Sequence, residues 1–440
     1  MTVTNPTLNW NHRDLGLDDE QIVEMYRVML MARRVDDRMW ALQRQGRADF
    51  VLGASGHEAI QVGSVFALDR DKDWVLPYYR DMGVGLAWGF SPEEIFLGVF
   101  AKKADPMSGG RQLPSHWSDP DRRVFTQSSV IGPQYPHAAG IAHAIKTRGE
   151  DAVCVVYGGE GSTSEGDWHE AMNWAGIHKL PLIFVIENNH YAISVPTGEG
   201  VAGRITDRAA GYGFPGVAID GNNPFQVVRT MNIAVARARS GEGPTLIEAE
   251  TYRFYAHTSD DNDTLYRTRD EVELWRKKDP LVALRQHLIE QRLLSEDEEA
   301  RIDEEVVSTL AEAVKRAEEA PDPDQPTTRV YARPIVPTEA TTEVDVVPTG
   351  ERVNLITAIN RALHEIFEAN EDAILFGEDV ARRKGGVFKA TEGLTDRFGA
   401  ARCFNTPIAE SSIVGVAIGM SAAGFRPLPE IQFADYIHPA

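Results

Sequence analysis

Apolar positions recur at helical spacing through residues 17–45. Ile22, Met25, Tyr26, Met29 and Leu30 fall on one face, with Asp18 placed to cap the first turn and Gly46 to stop the last. Residues 53–66 and 92–100 predict two shorter helices. In the middle of the chain the period changes. A short apolar, β-branched run at 152–157 leads into a glycine-rich turn at 158–161. A helix follows at 165–178, then a second apolar run at 182–186. Unbroken apolar strands on either side of a helix predict a βαβ unit in a buried parallel sheet. Residues 244–250 predict another strand, and 272–319 a charged helical region.

Two stretches lack such periodicity. Residues 106–134 are rich in Gly, Pro, Ser and Asp and predict a long loop. Its His116, Trp117, Arg122, Arg123 and Phe125 favour an ordered, functional loop over a disordered one. Residues 321–350 hold Pro321, Pro323, Pro326, Pro334, Pro337 and Pro348, which predicts an extended, proline-stiffened connector. Beyond it a second αβ pattern starts: a helix at 355–368, a strand at 373–377, a small-residue helix at 413–423 and a strand at 429–433. The expected fold class is α/β, a parallel sheet flanked by helices over residues 1–320, the connector at 321–350, then an incomplete second α/β module over 351–440. The stretch ends with no terminal capping or tail composition, so 440 reads less as a natural size than as a cut through a longer chain.

Composition narrows the function classes. The chain has 440 residues, and 45 Lys and Arg against 66 Asp and Glu leave a net charge of −21. An average field of that sign repels a phosphate backbone, which sets nucleic acid aside but leaves room for a local basic pocket. No apolar run approaches the roughly 18 residues that span a membrane. Cys154 and Cys403 are the only cysteines, which fits a reducing compartment. Residues 1–21 carry no basic stretch followed by an apolar core, so no signal peptide is expected and the expected location is the cytoplasm.

The strongest chemical signal is Gly159-Glu160-Gly161 followed by Asn188-Asn189. Each group sits just after a predicted parallel strand, where open α/β sheets bind their ligands. Glu160 and Asn189 can therefore converge on one point. A carboxylate with an amide oxygen is a hard-oxygen set suited to Mg²⁺ or Ca²⁺. The flanking glycines let the backbone approach a diphosphate, and the next helix offers its N-terminal N–H groups. The plain alternative is a glycine-rich turn and an Asn turn.

With their spacing, these residues resemble the thiamine diphosphate motif, Gly-Asp/Glu-Gly followed by a paired Asn. Residues 159–194 as a whole are similar to the α subunit of thiamine diphosphate-dependent 2-oxoacid dehydrogenases, the decarboxylating first components of lipoate-linked complexes. The resemblance implies a thiamine diphosphate-binding fold with Mg²⁺ held by Glu160, Asn189 and the Tyr191 carbonyl. Tyr79 and Arg80, in Pro77-Tyr78-Tyr79-Arg80-Asp81, match diphosphate-binding positions. Gly159, Gly161, Ser129 and Ile131 match the walls around the cofactor, with Ser129 and Ile131 in the loop Ser128-Ser129-Val130-Ile131-Gly132-Pro133-Gln134. His257, in the loop from Tyr252 to Asp261, matches a catalytic histidine that touches the diphosphate and helps acyl transfer. Some relatives carry a regulatory phosphoserine after this histidine, where this chain has Thr258. Glu187 stands where some branched-chain relatives place an Arg near the cofactor. Arg111-Gln112-Leu113-Pro114-Ser115-His116 looks more like branched-chain members than pyruvate members.

From Arg352 onward the chain resembles the start of the β subunit of the same enzymes, which implies an α–β fusion. Glu410 aligns with the carboxylate that activates the cofactor by sharing a proton with its aminopyrimidine. Ile408, Gln432 and Tyr436 match the wall around that ring. The implied activity is oxidative decarboxylation of a 2-oxoacid, branched-chain favoured, with acyl transfer to a lipoyl group. The implied partners are a lipoyl-bearing acyltransferase core and dihydrolipoyl dehydrogenase. The implied assembly is a homodimer or an α2β2-like one, with Glu410 meeting the diphosphate half from another chain or within the same one. A pyruvate or acetoin dehydrogenase component, and a catalytically incomplete cofactor-binding fragment, are the alternatives.

Overall fold

The computed structural model describes residues 11–126, 128–324, 350, 352–382 and 384–440. Helix α1 (Asp19–Arg44) starts at an Asp18 cap that closes a capping box with Gln21. It buries Ile22, Met25, Met29, Val35 and Met39 along one side. Helix α2 (Glu58–Val65) is shorter than its apolar pattern predicts. Residues 53–57 form a turn instead, because Asp36 of α1 accepts hydrogen bonds from the Ala54 and Ser55 backbone N–H groups. That contact is long-range, and no local pattern announces it. Helix α3 (Met82–Trp88) was not expected. Helix α4 (Pro92–Val99) follows a Ser91–Glu94 capping box with Pro92 in its first turn. Two more helices, α5 (Gln134–Arg148) and α6 (Gly166–His178), flank the next strand.

The strands are β1 (Trp74–Leu76), β2 (Cys154–Gly159), β3 (Leu182–Asn188), β4 (Tyr191–Ala192), β5 (Val195–Pro196), β6 (Gly216–Asp220) and β7 (Thr245–Glu250). Five of them form one parallel sheet in the order β1-β2-β3-β7-β6, and β4 and β5 form a small antiparallel hairpin. Every residue of β3 is buried, as a central parallel strand requires. The charged region at 272–319 resolves into the helices Arg269–Arg276, Pro280–Glu290 and Glu296–Glu319, divided at the Asp279 and Ser295 caps. Most of the expected connector, residues 325–349, lies outside the described residues.

Alternate strand positions face two apolar layers. Val155, Ile183, Val185 and Ile247 pack with α1 and α2. Cys154, Val156, Leu182, Phe184 and Ile186 face the other way, among Ala139 and Ile141 of α5 and Ala171 and Met172 of α6. The second module joins this latter layer. Its strands β8 (Ala373–Gly377), β9 (Cys403–Asn405) and β10 (Arg426–Glu430) form a parallel sheet in the order β10-β8-β9. The last strand starts three residues before its predicted place, with Pro427 and Pro429 on a sheet edge, where proline is tolerated. The helix Glu410–Ala422 lies on α5 so closely that a Cβ at Gly419 would stand 2.0 Å from the His137 carbonyl oxygen. No helix among the described residues is long and apolar enough to cross a membrane.

The joint between the two modules also buries histidine. His143 of α5 and His178 of α6 lie 4.7 Å apart by ring centroid, both against Phe404 of β9. The Trp174 indole N–H donates to His143 Nδ1 at 3.2 Å. Burial, with Lys146 nearby, pulls His143 down to about 3 and His178 to about 4. Both stay neutral in the fold, whereas an unfolded histidine takes up a proton near pH 6.5. Their contribution to stability is therefore full above about pH 6.5 and is lost as the pH falls toward 4. Each pKa unit is worth about 1.4 kcal/mol. Urea unfolding at about pH 7 and about pH 4.5 should show a stability loss that His143→Leu reduces. An equal loss in that variant would put the acid sensitivity elsewhere.

Candidate active site

Strand β2 runs into Gly159-Glu160-Gly161, and β3 runs into Asn189. Gly159 pairs with Glu187 in the parallel register, so the residues that follow leave the sheet side by side. The Glu160 carboxylate accepts a hydrogen bond from the Asn189 backbone N–H at 3.2 Å across 29 positions of sequence. The Asn189 side-chain oxygen accepts from the Tyr191 N–H at 3.3 Å. The chain then doubles back, with His190 and Ile193 at φ +74° and +58°. Such strain in non-glycine residues collects at functional loops. Gly161 closes the arrangement. A Cβ there would stand 2.6 Å from the Ala192 Cβ, so glycine lets the two loops touch.

Two buried guanidiniums face the same space. Arg80, at the start of α3, reaches the Gly53 carbonyl through Nη1. Its Nη2 lies 3.1 Å from His257 Nδ1. Arg253 comes from the loop after β7 and lies 3.4 Å from the same nitrogen. It also donates to the carbonyls of Tyr191 at 3.4 Å and Ile193 at 3.0 Å. Among the described residues neither guanidinium is ion-paired with a carboxylate. Burial, then Arg80 and Arg253, pull His257 down to about 3, so it is a neutral imidazole that accepts at Nδ1. Burial and Arg80 lower Arg253 to about 10. Burial raises the Glu160 carboxyl. The cleft thus holds two guanidiniums with no carboxylate in ion-pair contact and one desolvated carboxylate, with Arg253 near enough to Glu160 for each to favour the other's charged form. Both costs are relieved by an occupant that is anionic toward the arginines and cationic toward Glu160.

That cleft is about 510 Å³ in volume. Of the residues expected at the site, Tyr79, Arg80, Ser129 and Ile131 line it, as do Gly159, Glu160, Gly161, Asn189, Tyr191 and His257. Ser129 is hydrogen-bonded to His116 Nε2, whose other ring nitrogen faces the Leu113 carbonyl at 2.9 Å. Thr258 also lines the cleft, and Asp261 accepts from the His257 N–H at 2.8 Å. The donor set of Glu160 carboxylate, Asn189 amide oxygen and Tyr191 carbonyl fits a hard divalent cation.

Glu187 has a different place. It does not line the cleft but lies fully buried beneath the Tyr78–Asp81 turn. Gln61 Nε2 and the Tyr78 hydroxyl each donate to it at 3.0 Å. Burial raises it to about 7, and burial with the Glu187 charge beside it raises Asp81 well above the usual carboxylate range. Glu187 thus supports the turn that carries Tyr79 and Arg80, and does not stand beside a ligand.

The second-module residues lie apart from this cleft. None of Ile408, Glu410, Gln432 and Tyr436 lines it. Ile408 is 85% exposed. Glu410 is half-buried at the start of its helix, which Glu170 of α6 fixes by accepting from the Ser412 N–H at 2.9 Å. Gln432 donates to Asp379 at 3.1 Å, and Tyr436 packs edge-on to Phe433. Burial and the nearby Glu378 and Asp379 raise Glu430 to about 7, so a carboxyl that titrates near neutrality does sit in this module.

Sequence reasoning gave no role to Phe50, Leu52 and Arg253 in the lining. Arg253 had a usable signal, a cation inside the aromatic run Tyr252-Arg253-Phe254-Tyr255. Phe50 and Leu52 had none, because the turn after them depends on Asp36.

Comparison with known proteins identifies two regions. Residues 26–325 match the family model described as dehydrogenase E1 component, and residues 351–440 match that of the transketolase pyrimidine binding domain. The chain is 50% identical over 325 residues to the 2-oxoisovalerate dehydrogenase subunit alpha of Bacillus subtilis, which covers 73% of this chain and 98% of that protein. It is 40% identical over 307 residues to the pyruvate dehydrogenase E1 component subunit alpha of Staphylococcus aureus strain Mu50, covering 69% and 79%. The Bacillus subtilis protein of that name is 39% identical, with 69% and 80% covered.

Proposed function

The chain belongs to the dehydrogenase E1 component family of thiamine diphosphate-dependent 2-oxoacid dehydrogenases, and on that premise we propose that it oxidatively decarboxylates a branched-chain 2-oxoacid and passes the acyl group to a lipoyl carrier. The support that weighs most is a pair of buried arginines, neither in ion-pair contact with a carboxylate, lining one cleft with Glu160. In this reading Tyr79, Arg80, Arg253 and His257 hold the diphosphate. Glu160, Asn189 and the Tyr191 carbonyl would hold Mg²⁺. Bound there, the cofactor would supply the nucleophilic carbon for the keto group and the sink for the electrons left when CO₂ departs.

The protein's own residues do the rest. The forked guanidinium of Arg80 orients phosphoryl oxygens. The neutral His257 offers a hydrogen-bond donor at Nε2 without adding charge. Phe50, Leu52, Leu113, Val130 and Ile131 form an apolar side of the cleft that suits a branched side chain. Size selection of that kind is worth about 1–3 kcal/mol per methylene, so shorter 2-oxoacids are poorer substrates and not excluded ones. Glu410, with Ile408, Gln432 and Tyr436, is read as the pyrimidine wall for the cleft of a second copy, since none of the four lines the cleft of its own chain. Lipoyl-bearing acyltransferase and dihydrolipoyl dehydrogenase are the partners this chemistry requires. The two buried free thiols, Cys154 and Cys403, suit the cytoplasm.

The test is calorimetry of thiamine diphosphate with and without Mg²⁺, followed by decarboxylation assays with an artificial electron acceptor. The expected result is Mg²⁺-dependent binding and a higher kcat/KM for 3-methyl-2-oxobutanoate than for pyruvate, with acetoin inactive. A preference for pyruvate or acetoin would move the assignment to those enzymes. Cofactor binding without turnover would leave a binding fragment.

A further inference from the structure

We propose that Asp36 of α1 is a positioning residue for the diphosphate end of the cleft, acting through the 53–55 turn on Arg80 and on the His257 loop. The inference rests on the reading of that end as a diphosphate site. Asp36 is fully buried and does not line the cleft. One of its oxygens, Oδ2, collects three donors: the Ala54 N–H at 3.1 Å, the Ser55 N–H at 2.8 Å and the Ser55 hydroxyl. A single acceptor thus sets the backbone direction of residues 53–55.

That turn has two outputs. The Gly53 carbonyl takes Nη1 of Arg80, which leaves the other edge of the guanidinium for His257 and a ligand. The Ser55 carbonyl takes the Phe254 N–H at 3.0 Å, and the Val51 carbonyl takes the Ser259 N–H at 3.0 Å, one on each side of His257. Gly53 is wedged in place. A Cβ there would stand 2.8 Å from Trp40 Nε1 and 3.3 Å from the Tyr255 Cβ. Burying a carboxylate with one oxygen, Oδ1, left without a partner is unfavourable for stability alone. An apolar residue there would strip the Ala54 and Ser55 N–H groups and the Ser55 hydroxyl of their acceptor, so the turn, and not packing, fixes the residue type. Asp36 fixes where the two diphosphate-facing groups stand, much as outer-sphere partners orient metal ligands.

The test measures thiamine diphosphate affinity with Mg²⁺ by calorimetry, and the melting temperature without ligand, on the full chain. Asp36→Ala is expected to weaken binding about tenfold or more, within the range of lost outer-sphere partners. Asp36→Asn keeps an acceptor for the same three donors and should bind within about threefold of wild type. Ser55→Ala, which removes one of the three bonds and leaves Oδ2 its two backbone donors, should weaken binding severalfold while the melting temperature falls less than in Asp36→Ala; it serves if Asp36→Ala does not fold. Wild-type affinity in Asp36→Ala or in Ser55→Ala overturns the proposal. So does an Asp36→Asn protein as weak as Asp36→Ala, since charge and not acceptor geometry would then be at work. Arg80→Ala separates the two levels. If it binds like wild type, the diphosphate reading falls and Asp36 with it; if it binds poorly while the Asp36 variants bind normally, only the Asp36 role fails.

Discussion

Glu160→Ala should abolish Mg²⁺-dependent retention of thiamine diphosphate, the largest effect expected of any single change in the cleft. Glu160 carries the one carboxylate among the three proposed metal-facing groups, beside an amide and a backbone carbonyl. Outer-sphere partners of metal ligands cost about 10–100-fold when removed, and a direct charged ligand costs at least as much. Glu160→Gln is the more informative variant. Burial already raises the Glu160 carboxyl, so the ionised side chain is an unfavourable tenant in the unliganded protein. An amide of the same shape keeps the acceptor for the Asn189 N–H and removes that desolvation cost. Unliganded Glu160→Gln is therefore expected to melt at or above the wild-type temperature while its cofactor affinity falls. Calorimetry and a thermal melt on one preparation check both halves. A variant that binds the cofactor normally would remove Glu160 from the metal site. One that melts much lower would make it a structural residue.

This opposition between stability and binding also explains which parts of the site could be read from the sequence. Glu160 and Asn189 were legible because each follows an unbroken apolar run, and such runs in a βαβ unit are parallel neighbours. The register that sets Gly159 opposite Glu187 adds only the last step. Arg80 and His257 were legible by resemblance, but not the reason they meet, which is the turn at 53–55. Its small and apolar residues carry a helical pattern that the bonds to Asp36 override. Helix α5 was missed for a different reason. It is rich in Ala and buried along most of its length, so it has no polar stripe to betray its period. Glu187 shows the converse limit. Its position matches one where some branched-chain relatives carry an Arg near the cofactor, yet its bonds to Gln61 and Tyr78, both remote in sequence, hold it under the Tyr78–Asp81 turn.

The second large effect concerns Glu410, and it separates assembly from chemistry. Glu410→Gln is expected to leave Mg²⁺-dependent affinity for inorganic pyrophosphate unchanged, because Glu410 does not line the cleft that holds the diphosphate. It is expected to stop exchange of the bound cofactor's C2 proton for deuterium, a readout that needs the activating carboxylate but no lipoyl acceptor. If Glu410 serves the cleft of a second copy, two inactive proteins should restore each other. In a dimer of one Glu160→Ala chain and one Glu410→Gln chain, one site collects both substitutions and the other collects neither. Random mixing makes about half of the dimers mixed, each with one intact site of two, so exchange should recover to roughly a quarter of the wild-type level. If the site were closed within one chain, every site in the mixture would carry a substitution and nothing would be restored. The exposed aromatic group of Phe388, Phe433 and Tyr436, packed on one another in the same module, favours the first outcome, since a contiguous apolar patch marks an interaction surface. Mixing must follow partial denaturation or co-expression so that the chains exchange. Failure to recover exchange in dimers verified as mixed by mass would place Glu410 at the cleft of its own chain after a rearrangement of the helix Glu410–Ala422 on α5, against the close glycine contact that holds it there.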